Sequence, residues 1–394
     1  MPSWRSASRS SQNSLVFLKG GLLMSIVDVQ WHPYRIPLRT TFNTAHGALT
    51  IREGAIVEIM TSEGINGVGE IAPLPIFSGD TLHDALVVLP SLVAHMRGQS
   101  LSAALAWLYK QQEQVSLSSA AVCGLECALL DAQSKLQGCS MSTLLATEHV
   151  CPRESVQVNA VIGTSTIATA VDYAREALER GFTCIKLKMG TGLHEEIERV
   201  AALREAIGPH IRLRLDANES WSFEQAVTIL NACAPFAIEY VEQPLRAYDL
   251  IGMYQLRQVV PVPIAADEAL YNLASARRIL TWEAADVLII KPQLTGGLRA
   301  ARQIIQEATT RAVQCVITSV LETGIGLAAT LHLAAATHDI TLACGLATLP
   351  LLANDLLLDD IVMQQGSLTV PTGPGLGIQL DRDAHHFCVG EKKP

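Results

Sequence analysis

Four polar residues, Asp216, Glu242, Asp267 and Lys291, each close a short apolar run, and they follow one another at spacings of 26, 25 and 24 residues. One strand, one helix and two loops take about that many residues. The even spacing therefore predicts four consecutive β–α units whose polar residues stand at the same end of successive parallel strands. Eight apolar runs fit this rhythm: VQVNAV, CIKLKM, IRLRLDA, AIEYVEQ, PIAADEA, DVLIIKP, VQCVIT and ITLACG. They alternate with helix-patterned stretches such as STIATAVDYAREALERG. An open doubly wound sheet would not bring four neighbouring strand ends to a common centre, and eight runs favour closure. The expected fold class is thus α/β, a (β/α)-barrel whose C-terminal face carries the chemistry.

The 394 residues exceed what such a barrel needs and leave room for a second module. From Ser25 the pattern is strand-like, and apolar residues alternate up to Met60 and resume at Ile65. Gly64 and Asn66-Gly67 supply turn chemistry for an antiparallel hairpin. Residues 81–150 then place apolar side chains three and four apart, the period of helices. An α+β capping domain over residues 24–150, a barrel over 151–365 and a C-terminal return to the cap over 366–394 are the expected divisions. Residues 1–23 are basic and serine-rich without an acid, and read as an extension outside the fold.

Apolar residues make up 49% of the chain and charged ones 17%, enough for a large core, while the net charge of −9 gives no reason to expect nucleic acid or an anionic membrane as partner. No apolar run is long enough to span a bilayer. The nine cysteines form no CxxC pair or regular framework and read as reduced, mostly buried thiols of a cytoplasmic protein. A small-molecule substrate remains as the expected partner, for a monomer or a homo-oligomer.

Asp216, Glu242 and Asp267 would converge as three carboxylates, an arrangement that is costly unless a cation neutralises it. Hard oxygen ligands on separate rigid strands suit Mg²⁺, with Mn²⁺ as a substitute. Lys186 and Lys188 are two apart on one strand, so both point to one face. If that face is the barrel interior, burial and each other's charge would lower their proton affinity, as a base requires. Lys291 would approach from the opposite side. Arg212, Arg214, Asp216 and Asn218 share one face of LRLRLDAN. A guanidinium inside a barrel must be paired, so Arg214 is expected to support a carboxylate. Glu268 would face away from Asp267 if its strand continued, and is expected to support the site from outside. The glycines Gly296-Gly297 and Gly324 and Gly326 match no nucleotide-binding motif and read as tight turns. The histidines show no metal spacing, and His332 reads as a core residue. A Schiff-base barrel enzyme using Lys188 or Lys291 as nucleophile fits the bare pattern as well. A catalytically silent scaffold would lack one of these lysines or carboxylates, and none is missing.

The succession KxK, DAN, VEQP, ADE and IKPxxxGG, in this order and spacing, resembles the enolase superfamily. It is most similar to the muconate-lactonizing subgroup, and the likeness runs from about Ile26 to Asp381. That resemblance implies a modified TIM barrel under an α+β cap and removal of a proton α to a carboxylate. Mg²⁺ would be held by Asp216, Glu242 and Asp267, with Lys188 as base, Lys186 lowering its proton affinity, and Lys291 across the substrate. Within the subgroup, TAHG, GEIAPLPIFSGDTL, TSVLETGIGLAA and GLATLPLLANDLL resemble the o-succinylbenzoate synthases of menaquinone synthesis. These are lyases that dehydrate a succinyl-bearing hydroxycyclohexadiene carboxylate through an enediolate. TAHG and GEIAPLPIFSGDTL would then be cap loops closing over substrate, and Thr44, His46, Gly47, Asn218 and Ser319 substrate contacts. The alternative is an isomerase, an N-succinylamino acid racemase or dipeptide epimerase. The epimerases carry an Asp-x-Asp after the eighth strand that this chain lacks, and the racemases an arginine where Leu294 stands.

Overall fold

A computed structural model describes residues 24–44, 47–78, 80–147, 150–163, 166–190 and 192–387. The expectations for residues 1–23, His46 and Cys388 lie outside the described residues. Strands β1 (Ile26–Thr44), β2 (Gly47–Thr61) and β3 (Asn66–Ile71) form an antiparallel sheet in that order. The turn between β2 and β3 closes where Thr61 Oγ1 accepts from Ile65 N–H at 3.1 Å and Gly64 takes φ +77°. Helices Leu82–Val87, Leu89–Met96, Leu101–Gln114 and Ser119–Gln137 follow. Thr81 and Asp84 cap the first of them reciprocally, and Ser100 and Ser118 cap the last two. The sheet and helices enclose a core that includes Val57, Ile59, Leu92, Leu108, Leu125 and Leu129.

After the short strand β4 (Ser155–Gln157) comes the parallel sheet, formed by β5 (Ala160–Ile162), β6 (Cys184–Lys188), β7 (Arg212–Asp216), β8 (Ile238–Glu242), β9 (Ile264–Ala266), β10 (Val287–Ile290) and β11 (Gln314–Ile317). These seven strands lie side by side in chain order, each followed by a helix. The eighth expected run closes the curve through bridges rather than a ladder. Cys344 pairs with Val158 and Gly345 with Thr318, both in parallel. The fold is therefore a (β/α)-barrel with an N-terminal antiparallel cap.

Inside the barrel, Tyr240, Ala265, Val287, Ile289 and Val316 form an apolar plug. Arg214 lies on the Tyr240 ring at 4.7 Å and is fully buried. It does support a carboxylate as expected, but that carboxylate is Glu239, to which its Nε donates at 2.5 Å. Its Nη1 also donates to Asn159 Oδ1 at 3.2 Å and Ala343 O at 2.8 Å, so one side chain ties four staves together.

The C-terminal segment touches both parts. Strand β13 (Ser367–Thr369) pairs with β12 (Met363–Gln364) and β4. Beyond it, Leu376 N–H donates to Asp131 at 2.7 Å and Arg382 grips Glu58 through two bonds of 2.6 Å. His332, fully buried, reads as the expected core residue: Ser142 N–H donates to its Nδ1 and its Nε2 meets Leu376 O. Eight free cysteines, six of them buried, are present among the described residues.

Candidate active site

The ladder explains how residues distant in sequence come to share one place. Lys188 is level with Asp216, and Asp216 with Glu242. Glu242 pairs with Ala265, which puts Asp267 two residues further along, and Lys291 leaves the next strand end. Period-two alternation sends Lys186, Lys188, Asp216 and Glu242 into the interior above the plug. Lys186 Nζ stands 2.8 Å from Glu242 Oε1 and 3.1 Å from Asp216 Oδ2. Lys188 Nζ is 4.0 Å from Asp216 and donates to Asn218 Oδ1 at 3.1 Å. Across the mouth, Lys291 Nζ lies 2.5 Å from Asp267.

Burial sets the electrostatics. It pushes the carboxyl of Glu242 up to about 7, against the pull of Lys186 and with the repulsion of Asp216 and Asp267. Burial likewise raises Asp267 to about 6, opposed by Lys291 and reinforced by Glu268. For Asp216 burial is outweighed by Lys186 and Lys188, and its carboxyl falls below the usual range. Lys186 departs from expectation: although burial disfavours its charge, Asp216 and Glu242 outweigh that and hold it firmly protonated.

Three buried carboxylates, all oxygen donors, two of them lifted toward neutrality chiefly by burial, fit a divalent cation. Lys186 and Lys291 now pair with them, and among the described residues no three acidic, histidine or cysteine side chains are already drawn into one metal-holding group.

Glu268 was expected to face away from Asp267 only if its strand continued. Strand β9 ends at Ala266, so alternation does not carry on through Glu268, which turns into the site. Its Oε1 accepts from Asn218 Nδ2 at 3.0 Å, while burial pushes its carboxyl up to about 7. Asn218, at φ +43°, thus links Glu268 to Lys188. Ser319 is buried, and its hydroxyl is occupied: it donates to Glu322 and accepts from Thr348 at 3.0 Å and Leu321 N–H at 3.0 Å. Thr44 and Gly47 face each other across the β1–β2 hairpin.

Three contributors escaped the sequence reading. Phe42 lies over Lys188 Nζ at 5.0 Å and Phe77 over Lys291 Nζ at 3.9 Å, both from the cap side. Their only signal was an aromatic residue beside or within the two expected cap loops. Gln243 accepts from Asp267 N–H at 3.0 Å and Ala269 N–H at 3.2 Å, pinning the turn that presents Asp267. It stood in plain view within VEQP, but its backbone partners could not be read from the chain.

Comparison with known proteins identifies the family. Residues 169–384 match the family described as enolase C-terminal domain-like, and residues 24–146 the N-terminal domain of mandelate racemase and muconate lactonizing enzymes. The hydrophobic dipeptide epimerase of Enterococcus faecalis is 32% identical over 326 residues, covering 81% of this chain and 90% of that one. An o-succinylbenzoate synthase of Thermobifida fusca is 38% identical over a shorter stretch of 221 residues, 55% of this chain and 67% of the relative. The crystal structure of the E. faecalis dipeptide epimerase with Mg and L-Leu-L-Tyr superposes with a TM-score of 0.84 at 31% identity, covering 90% of this chain and 99% of that one. The chain is therefore an enzyme of the enolase superfamily, and within it a member of the muconate-lactonizing subgroup.

Proposed function

We propose that this enzyme removes a proton α to a substrate carboxylate between two opposed lysines, and that the reaction is the dehydration performed by o-succinylbenzoate synthases. Lys188 is the base: its side chain is half-buried at the strand end and its nitrogen is oriented by Asn218 at 3.1 Å. Lys186, held between Asp216 and Glu242, is a fixed positive charge beside it. Mg²⁺ held by Asp216, Glu242 and Asp267 would supply Lewis-acid stabilisation of the negative charge that develops on the substrate carboxylate. Lys291, on the far side, provides cationic stabilisation, and Lys188 returns its proton to the departing hydroxyl on the same face.

The observation that carries the finer reading is the end of the eighth stave. Gly345, Leu346, Ala347 and Thr348 offer no carboxylate there, and Thr348 spends its hydroxyl on Ser319. Those four residues offer no anionic partner to the free ammonium of a dipeptide, whereas a hydroxycyclohexadiene ring and its succinyl arm, which ends in a carboxylate, need none from them. The stretch of 38% identity to the T. fusca synthase supports the same reading.

A second reading has its own support. The relative aligned over 81% of this chain is a dipeptide epimerase, and two lysines on opposite faces suit proton transfer to and from one carbon. In that isomerase, Lys291 would exchange a proton with the second face. Assaying the purified enzyme with Mg²⁺ on the hydroxycyclohexadiene carboxylate, N-succinylamino acids and dipeptides separates the two. Aromatisation of the cyclohexadiene, followed by ultraviolet absorbance, is expected. Epimerisation of dipeptides without any dehydration would replace the synthase reading by the isomerase one.

A further inference from the structure

The two lysine-bearing segments are held by different parts of the molecule. Strand β6, with Lys186 and Lys188, is fixed on both sides by barrel ladders. Lys291 begins a short helical turn, Pro292–Thr295, whose residues are all buried. The cap grips that turn along its length. Gln293 accepts from Ala72 N–H at 3.0 Å and donates to Glu70 O at 2.8 Å. Gln112 donates to Gly296 O at 2.7 Å. Glu126, from the middle of a cap helix, accepts from Leu298 N–H at 2.6 Å and Arg299 N–H at 2.9 Å, and Tyr109 OH holds the same carboxyl at 2.7 Å. The glycine pair in this turn has its explanation here. A Cβ on Gly297 would lie 2.0 Å from Glu126 Oε2, and one on Gly296 would lie 2.2 Å from Gln112 Nε2; both glycines also take positive φ. Phe77 completes the grip from above, 3.9 Å from the ammonium itself.

We infer that Glu126 is a positioning residue for Lys291: through the Gly296–Arg299 backbone, the cap sets where the far-side lysine stands, independently of the near-side pair. This rests on the proposed opposition of Lys188 and Lys291. The physical warrant is that a buried carboxylate accepting several backbone N–H bonds fixes a turn more firmly than the turn's own few bonds can. Among the described residues, Lys291 O accepts from Leu294 N–H and Thr295 N–H, both at 2.9 Å, and from the Thr295 hydroxyl at 3.2 Å, and Pro292 O accepts from Gly297 N–H at 2.8 Å.

Glu126→Gln keeps the shape and weakens the grip, and Gln112→Ala, at a half-buried position, provides a second variant that spares the core. Amide hydrogen exchange of the full-length protein should speed up about tenfold at Leu294–Arg299 in either variant, with strand β6 unchanged. In the same proteins kcat should fall about tenfold with KM altered less than twofold. Equal loosening of the turn and of β6 would mean a general structural role and overturn the inference. So would a loosened turn with unchanged kcat, or no change in either. Lys291→Ala with full turnover would instead sink the parent reading of Lys291, while the exchange result would still report on the grip.

Discussion

Lys291 arrives at the site with its charge balanced twice, by Asp267 at 2.5 Å and by the Phe77 ring at 3.9 Å. Lys188 is held more loosely, by Asn218 at 3.1 Å and Asp216 at 4.0 Å. That asymmetry suits a base on one side and a fixed cation on the other. Replacing Lys188 by Ala should lower turnover about 1,000-fold, the scale of a lost general base, in a steady-state assay; near-wild-type turnover would remove it from that role. Arg in place of Lys291 keeps the charge but cannot release a proton. The Lys291→Arg enzyme should retain measurable dehydration while losing any α-proton exchange that passes through that face, read by NMR in D₂O on both enantiomers of an N-succinylamino acid. The carboxylates give a pH dependence. Glu242 and Asp267, pushed up to about 7 and about 6, must be deprotonated to hold a cation. Magnesium affinity measured calorimetrically should therefore strengthen as pH rises from about 5.5 to 7.5, and Glu242→Gln should weaken it most at the upper end of that range. The ionisable residues themselves were legible because each closed an apolar run at even spacing. Their charge states were not: Lys186 is held protonated by two carboxylates that the strand pattern alone could not weigh against burial.

At the scale of single elements, alternation predicted which residues of β6, β7 and β8 face inward, and it failed where a strand stopped. The facing of Glu268 was conditional on the strand continuing, and nothing in ADEA marks the end of β9 at Ala266. The closing run ITLACG was legible as a stave, but not as one held by bridges instead of a ladder. Arg214 was read correctly as paired, although its partner Glu239 depends on the register shift between β7 and β8 beside Leu213. Breaking that pair leaves half-buried Glu239 with Arg212, 3.8 Å away, as its remaining cationic neighbour. Arg214→Met should cost about 3 kcal/mol in a denaturant titration, in line with a disrupted buried pair. An unchanged midpoint would show that Arg212 alone suffices to balance Glu239.

Across the whole molecule, the cap meets the barrel through buried acids rather than by apolar contact alone. Glu70 accepts from Thr323 N–H, Thr323 OH and Gly326 N–H at 2.7–2.9 Å, at the start of the helix Gly324–Ala336. Glu126 does the same for the helix Leu298–Thr309, and Asp131 receives Leu376 N–H from the C-terminal segment. Anions at helix N-termini are favoured by the exposed N–H groups and the dipole. The change from strand to helix period made the cap visible in the sequence. Its seams were invisible, because Glu126 and Asp131 interrupt an apolar helix pattern that names no partner. The chemistry proposed for the assembled molecule meets its most direct test in one NMR experiment. The substrate would be followed in D₂O with magnesium-loaded, exhaustively chelated and Lys188→Ala enzyme. Loss of the α-proton should occur only in the first. Undiminished loss in the chelated protein or in the Lys188→Ala variant would contradict proton abstraction by a lysine beside three cation-holding carboxylates.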